Sequence, residues 1–143
     1  MINIGQLISG LTHLIGESEF PDAAILAAAL GLDISQAAIT KTKQGNLGIN
    51  GARLNGSGVG IACGLVPRRE IWILFDNSST PYRAVRDETF GANQRIEQSK
   101  VGTGFGVVFE IGGLVCGYTA DSPDADVDAI FCEESTPSSS RKN

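Results

Sequence analysis

Along the first sixteen residues, Ile4, Leu7, Ile8, Leu11, Leu14 and Ile15 recur three and four positions apart. That spacing places them on one stripe of an α-helix, with Gln6, Ser9 and His13 on the opposite face. Gly16 stands where a helix C-cap would. A second helix is expected from about Pro21, with proline in the first turn, acidic Asp22 beside it and Gly31 as terminator. Its run AAILAAALGL is apolar on nearly all sides, which predicts a largely buried helix whose alanines admit close approach of another element.

From Ile34 the helical period stops. AAITKTK has strand character, and GNLGINGARLNGSG is broken by turn residues at short intervals. Two later stretches then match in residue type at every position: Ser57-Gly58-Val59-Gly60-Ile61-Ala62-Cys63 and Thr103-Gly104-Phe105-Gly106-Val107-Val108-Phe109. Each is followed by a turn and a second apolar run, Ile71 to Phe75 and Leu114 to Tyr118, so two copies of one β-hairpin are expected. Gly112-Gly113 is a strong two-residue turn signal, and the turn at Pro67 a looser one. Asp76 to Lys100 reads as a polar, turn-rich connection.

VGTGFGVV (101–108) has the look of a phosphate-binding loop, but its glycines alternate and lead into Val107, Val108 and Phe109, which is strand rather than helix. Gly102, Gly104 and Gly106 would share one face of the pleat, as would Gly56, Gly58 and Gly60. A face without side chains can seat another element, and the alanine-rich second helix is the expected occupant. DSPDADVD is an acidic loop, AIFCEE a last strand, and STPSSSRKN a polar, mobile tail. The expected fold is α+β: two N-terminal helices packed on a mostly antiparallel sheet of six or seven strands that contains the two similar hairpins. Residues 1–134 make the single domain, and 135–143 the tail.

Composition narrows the function classes. The 143 residues are 42% hydrophobic and 19% charged, as in a globular domain. The longest apolar run, Ala23 to Leu32, falls short of the roughly 18 to 20 residues that cross a bilayer. No Lys or Arg precedes Lys41, so the basic start of a secretory signal is lacking and a cytoplasmic location is expected. Cys63, Cys116 and Cys132 are odd in number, have no CxxC spacing and lie in apolar runs, where a free cysteine packs as a small hydrophobe.

Charge is distributed by segment. Residues 1–40 carry four acids and no base, residues 41–100 nine bases against five acids, and residues 101–134 seven acids and no base. An acidic end beside a mildly basic middle suits steering of a charged partner and argues against nucleic acid as ligand.

Candidate chemistry is sparse. His13 is the one histidine and sits on the polar side of its helix, so a His-rich metal site lacks its parts, and a Ser–His–Asp assembly would have to recruit His13 with no Gly-x-Ser-x-Gly elbow to accompany it. Asp124, Asp126 and Asp128 fit positions 1, 3 and 5 of a calcium loop, but Ala129 stands where glycine is needed and Ser135 where the bidentate Glu is needed. Glu110 alternates to the solvent face of its strand. Arg68 and Arg69 read as solvated turn residues. Trp72, inside IWILF, reads as core, with a recognition anchor as the other reading. No catalytic residue, metal or cofactor is assigned.

The layout resembles the small immunity proteins of bacterial toxin–immunity systems, of the contact-dependent inhibition, bacteriocin or type VI kind. The likeness is carried by Gly58 to Phe75 as the first hairpin, Phe90-Gly91-Ala92-Asn93 in the turn-rich middle and Gly104 to Tyr118 as the second hairpin. It covers about half the chain, and Ala92-Asn93 departs from the proline usual there. The resemblance implies a non-catalytic inhibitor that binds a cognate toxin, with no membrane or nucleic-acid partner. The acids of the last segment, Asp121, Asp124, Asp126, Asp128, Glu133 and Glu134, are the expected partner-binding residues, on charge alone. A secretion chaperone for an effector protein is the alternative, although such chaperones usually end in a helix. A small-ligand or enzymatic domain using the glycine-lined face is a third reading.

Overall fold

The computed structural model describes residues 2–16, 22–65, 68–85, 95–101 (backbone alone) and 104–135. Pro21, Pro67, Gly102, the Phe90 to Asn93 segment and the tail from residue 136 lie outside the described residues. Among those described, the order is α1 (Ile4–Gly16), α2 (Ala23–Leu30), β1 (Ala38–Lys41), β2 (Leu47–Leu54), β3 (Ser57–Gly64), β4 (Glu70–Phe75), α3 (Tyr82–Val85), β5 (Arg95–Val101), β6 (Gly104–Ile111), β7 (Leu114–Ala120) and β8 (Val127–Glu134). The eight strands form one sheet in the order β1-β2-β3-β4-β8-β7-β6-β5, with every neighbouring pair antiparallel. The expected α+β architecture is the one found.

All six apolar residues of the α1 stripe are buried, and Gln6, Ser9 and His13 are exposed. α1 lies across β8 and touches β4 and β7. At its C-terminus the guanidinium of Arg69 donates to the Ile15 carbonyl at 3.5 Å, a cation at the negative end of the helix. Arg68 likewise donates to the Glu134 carbonyl, so the two arginines brace elements rather than serving only as solvated turn residues.

α2 is capped at both ends. The Asp22 carboxylate accepts from the Ile25 N–H at 2.9 Å, and Gly31 takes the left-handed conformation with φ 72°. Only Leu26, Ala27 and Leu30 are buried; Ala24, Ile25, Ala28 and Ala29 are exposed. The expectation of a largely buried α2 is therefore corrected: this short helix packs one stripe on α1 and leaves the other in solvent. Nor does it occupy the glycine face. Val59 and Ile61 of β3 point to the helices, while Gly58 and Gly60 point away. A Cβ on Gly58 would run into the Asp76 side chain, and one on Gly104 would come within 2.7 Å of the Ala120 carbonyl oxygen. These glycines admit neighbouring strand segments, not a helix. The close approach of α2 is to Gly10 of α1, where a Cβ would sit 3.0 Å from Leu30.

Both expected hairpins are present as β3–β4 and β6–β7. Gly112 and Gly113 turn the second with φ 54° and 83°. Asn55 and Gly56, φ 52° and 82°, make a further two-residue turn between β2 and β3, so Gly56 is a turn residue and not part of the strand face. β2 itself runs through Gly48 and Gly51; Gly51, with φ 83°, sits at a bulge between Ile49 and Ala52. The stretch 76–100, expected to be irregular, contributes α3 and β5.

One row across the sheet reads Leu47, Cys63, Ile71, Cys132, Cys116, Phe109, all buried under the helices. α3 covers the adjacent region, where Tyr82 is fully buried, meets Phe105 edge-on at 5.1 Å and lies 5.9 Å from the Tyr118 ring. The Tyr118 hydroxyl donates to the Val85 carbonyl. On the opposite face Trp72 stacks on Phe131 at 4.4 Å and 16°, outside the helix-covered core. Trp72 is thus half-buried, not core, because the alternation of IWILF sends Ile71, Ile73 and Phe75 inward and Trp72 and Leu74 outward.

Candidate functional site

The sheet begins at an edge. β1 has one neighbour, β2, and all four of its residues are exposed. Between this edge and the first turn of α2 lies a groove of about 620 Å³. Its apolar walls include Ala23 and Ala24 of α2, Ile39 of β1 and Leu47 of β2, and Asp22 and Lys41 supply charge of opposite sign at its rim. The groove exists because α2 packs only one stripe inward. The Asp22 cap fixes the start of the helix, and the tight β1–β2 connection, closed by Gly45 N–H to Thr42 carbonyl at 3.0 Å, fixes the strand edge. Among the described residues three large hydrophobic side chains are exposed: Ile25 at 54%, Ile39 at 48% and Leu74 at 47%. Ile39 lines the groove, and Ile25 follows Ala24 on α2. Its lining offers one carboxylate and one amine on apolar walls, a chemistry suited to holding an aliphatic or aromatic side chain near an open strand edge.

The sequence did not single out this site. Its signals were apolar residues on more than one side of AAILAAAL and Ile39 within AAITKTK, but nothing in the pattern shows that helix and strand are neighbours.

The six acids expected to bind a partner do not form one patch. Asp121, Asp124 and Asp126 are exposed on the connection between β7 and β8. This turn is held by backbone: Ala125 N–H to the Ser122 carbonyl, Tyr82 N–H to the Ala125 carbonyl and Val127 N–H to the Thr80 carbonyl. Asp124 also pairs with Arg83 at 2.5 Å, an exposed contact of small energetic weight. Asp128, at the bulge where β8 slips against Thr119 and Ala120, accepts the Thr119 hydroxyl proton at 2.5 Å. Glu133 and Glu134 lie at the far end of β8, about 20 Å along the strand. Glu134 is buried, and its carboxylate accepts the Arg69 N–H at 2.7 Å. Glu133 pairs across the ladder with Glu70. Burial first, then the charge of Glu70, push its carboxyl above the ordinary range, against an opposing pull from Arg68.

Among the described residues, no three His, Cys, Asp or Glu side chains converge as metal ligands would. Asp124, Asp126 and Asp128 diverge to an arginine, a backbone bridge with Pro81 and a threonine hydroxyl. Glu110 is exposed, as its alternation implied. Cys63, Cys116 and Cys132 are buried. No described helix is long and apolar enough to cross a membrane. Neither a protein-family model, nor a curated protein, nor a solved structure matches this chain.

Proposed function

We propose that the protein is a non-catalytic binding module for another protein, acting as an inhibitor of the toxin-immunity kind. The observation that carries this reading is the apolar groove beside the unpaired β1 edge, lined by the half-exposed Ile39. Covering an aliphatic side chain of this size yields on the order of 1 kcal/mol when half of it is already buried. A partner that seats an apolar side chain in the groove gains from the same walls. The exposed Asp121, Asp124 and Asp126, on a backbone-braced turn nearer the middle of the sheet, add a preformed negative surface that speeds encounter with a basic partner.

The test is a cross-linked purification from the native host, followed by expression of each recovered partner alone. A partner that is toxic by itself, neutralised by the parent chain and not by Ile39→Glu, supports the reading. A recovered partner that is harmless, or whose toxicity the parent chain leaves unchanged, sinks it. The open β1 edge also favours a second reading, a secretion chaperone that holds an extended client segment by strand addition. Hydrogen exchange on the partner separates the two: a chaperone protects one extended segment of an otherwise exposed client.

A further inference from the structure

Cys116 of β7 and Cys132 of β8 stand directly opposite each other in the antiparallel register. Opposed residues in such a ladder have Cα atoms about 4.5 to 5.5 Å apart, inside the span a disulfide requires without backbone movement. Both side chains point to the helix-covered face, both are fully buried, and the Cys132 and Cys116 sulfurs face each other 2.6 Å apart. Cys63 shares their row but is separated from Cys132 by Ile71, two strand spacings or about 9.5 Å away, too far to be bridged. The chain from Cys116 to Cys132 contains the whole acidic turn with Asp121, Asp124 and Asp126.

We propose that Cys116 and Cys132 form a cross-strand disulfide that clasps β7 to β8 near the end of the pair opposite the acidic turn, made by exchange with a small-molecule disulfide while the two strands are apart. One cysteine thiolate attacks the small disulfide and expels one small thiol, leaving a mixed disulfide. The second cysteine thiolate then attacks the protein sulfur of that mixed disulfide and expels the second small thiol. The two cysteines lose two electrons and two protons, and the oxidant leaves as two thiols. The folded packing explains why the exchange belongs to the open strands: burial, then the neighbouring Cys116, hold the Cys132 thiol far above its ordinary range, so the nucleophilic thiolate is scarce in the native state. The same burial shields the finished bond from reductants.

The experiment unfolds the reduced full chain in urea, refolds it with oxidised glutathione, quenches with acid and alkylates under denaturing conditions before intact-mass and peptide analysis. One alkylated cysteine, Cys63, with the Cys116 and Cys132 peptides linked and neither carrying glutathione, is expected; all three cysteines are alkylated after reduction. Three alkylated cysteines without reduction, a link that involves Cys63, or glutathione retained on Cys116 or Cys132 would overturn the proposal. The native oxidised protein is then treated with reduced glutathione, with and without urea. Reduction that is at least tenfold faster in urea is expected, and equal rates would count against the buried clasp.

Discussion

Glu133 is a carboxyl whose surroundings resist its charge. Its folded value lies above the unfolded one, so the folded state holds the proton to higher pH than the unfolded chain does. The stabilisation that goes with the proton is complete below the ordinary value of 4.5 and is lost as pH rises through the folded value. At neutral pH the molecule therefore carries the burden of a half-buried carboxylate facing Glu70. Glu133→Gln keeps the size and removes the charge, so its thermal midpoint should exceed the parent's around pH 7 and converge with it below about pH 4. Parallel midpoints across that range would refute the account. Gly117 carries the opposite lesson, since the carbon atom it lacks matters more than any group it has. A Cβ there would lie 2.8 Å from the Phe131 ring and against the Val107 carbonyl, so Gly117→Ala should cost about 1–3 kcal/mol in urea unfolding. Neither effect is legible in the sequence, where Glu133 is one acid of six and Gly117 one glycine among many. Both arise from cross-strand register, which residue type alone does not encode.

At the scale of elements, legibility followed the strength of the periodic signal. In α1 all six apolar residues of the expected stripe are buried, while Gly16 is the last residue of the helix itself. The hairpins β3–β4 and β6–β7 were read from alternation and from Gly112-Gly113. β2 is hidden in the sequence because Gly48 and Gly51 look like turn residues, whereas one is an ordinary strand position and the other a bulge. β5 is hidden in the sequence because the polar composition of 95–101 carries little apolar alternation, as suits an edge strand. α2 ends at Gly31 as expected, but it starts at Ala23 behind Asp22 as N-cap and buries only one stripe, and the exposed remainder is what opens the groove. The cap of this helix is accordingly a test of the groove's construction. Asp22→Ala removes the acceptor for the Ile25 N–H and should cost about 1 kcal/mol of stability. It should also speed hydrogen exchange at Ile25 relative to α1, because the first turn loses its anchor. Unchanged exchange at Ile25 would mean that packing on α1, rather than the cap, sets this wall of the groove.

The whole molecule is two four-stranded meanders, β1 to β4 and β5 to β8, joined edge to edge where β4 pairs with β8. The repeat seen in the sequence matched β3–β4 with β6–β7, but the sheet is symmetric about the β4–β8 seam, so β2–β3 corresponds to β6–β7. A type-for-type match between two hairpins reported real strands and a displaced symmetry. Each meander is built from local turns, whereas the seam joins residues as distant as Ile73 and Ile130, with α1 lying over it. The seam thus decides whether the halves unfold together. Ile73 and Ile130 are both fully buried and opposed, so either one changed to Ala should cost about 2–5 kcal/mol. Trp72 is the one tryptophan in the chain and stacks from β4 onto Phe131 of β8, so its fluorescence reports the seam directly. If the sheet is one cooperative unit, the fluorescence and far-ultraviolet circular dichroism transitions of Ile130→Ala in urea should coincide at a lower midpoint. A fluorescence change that precedes the loss of strand signal would show the meanders parting first, and the eight strands would then be two folding units that share an edge.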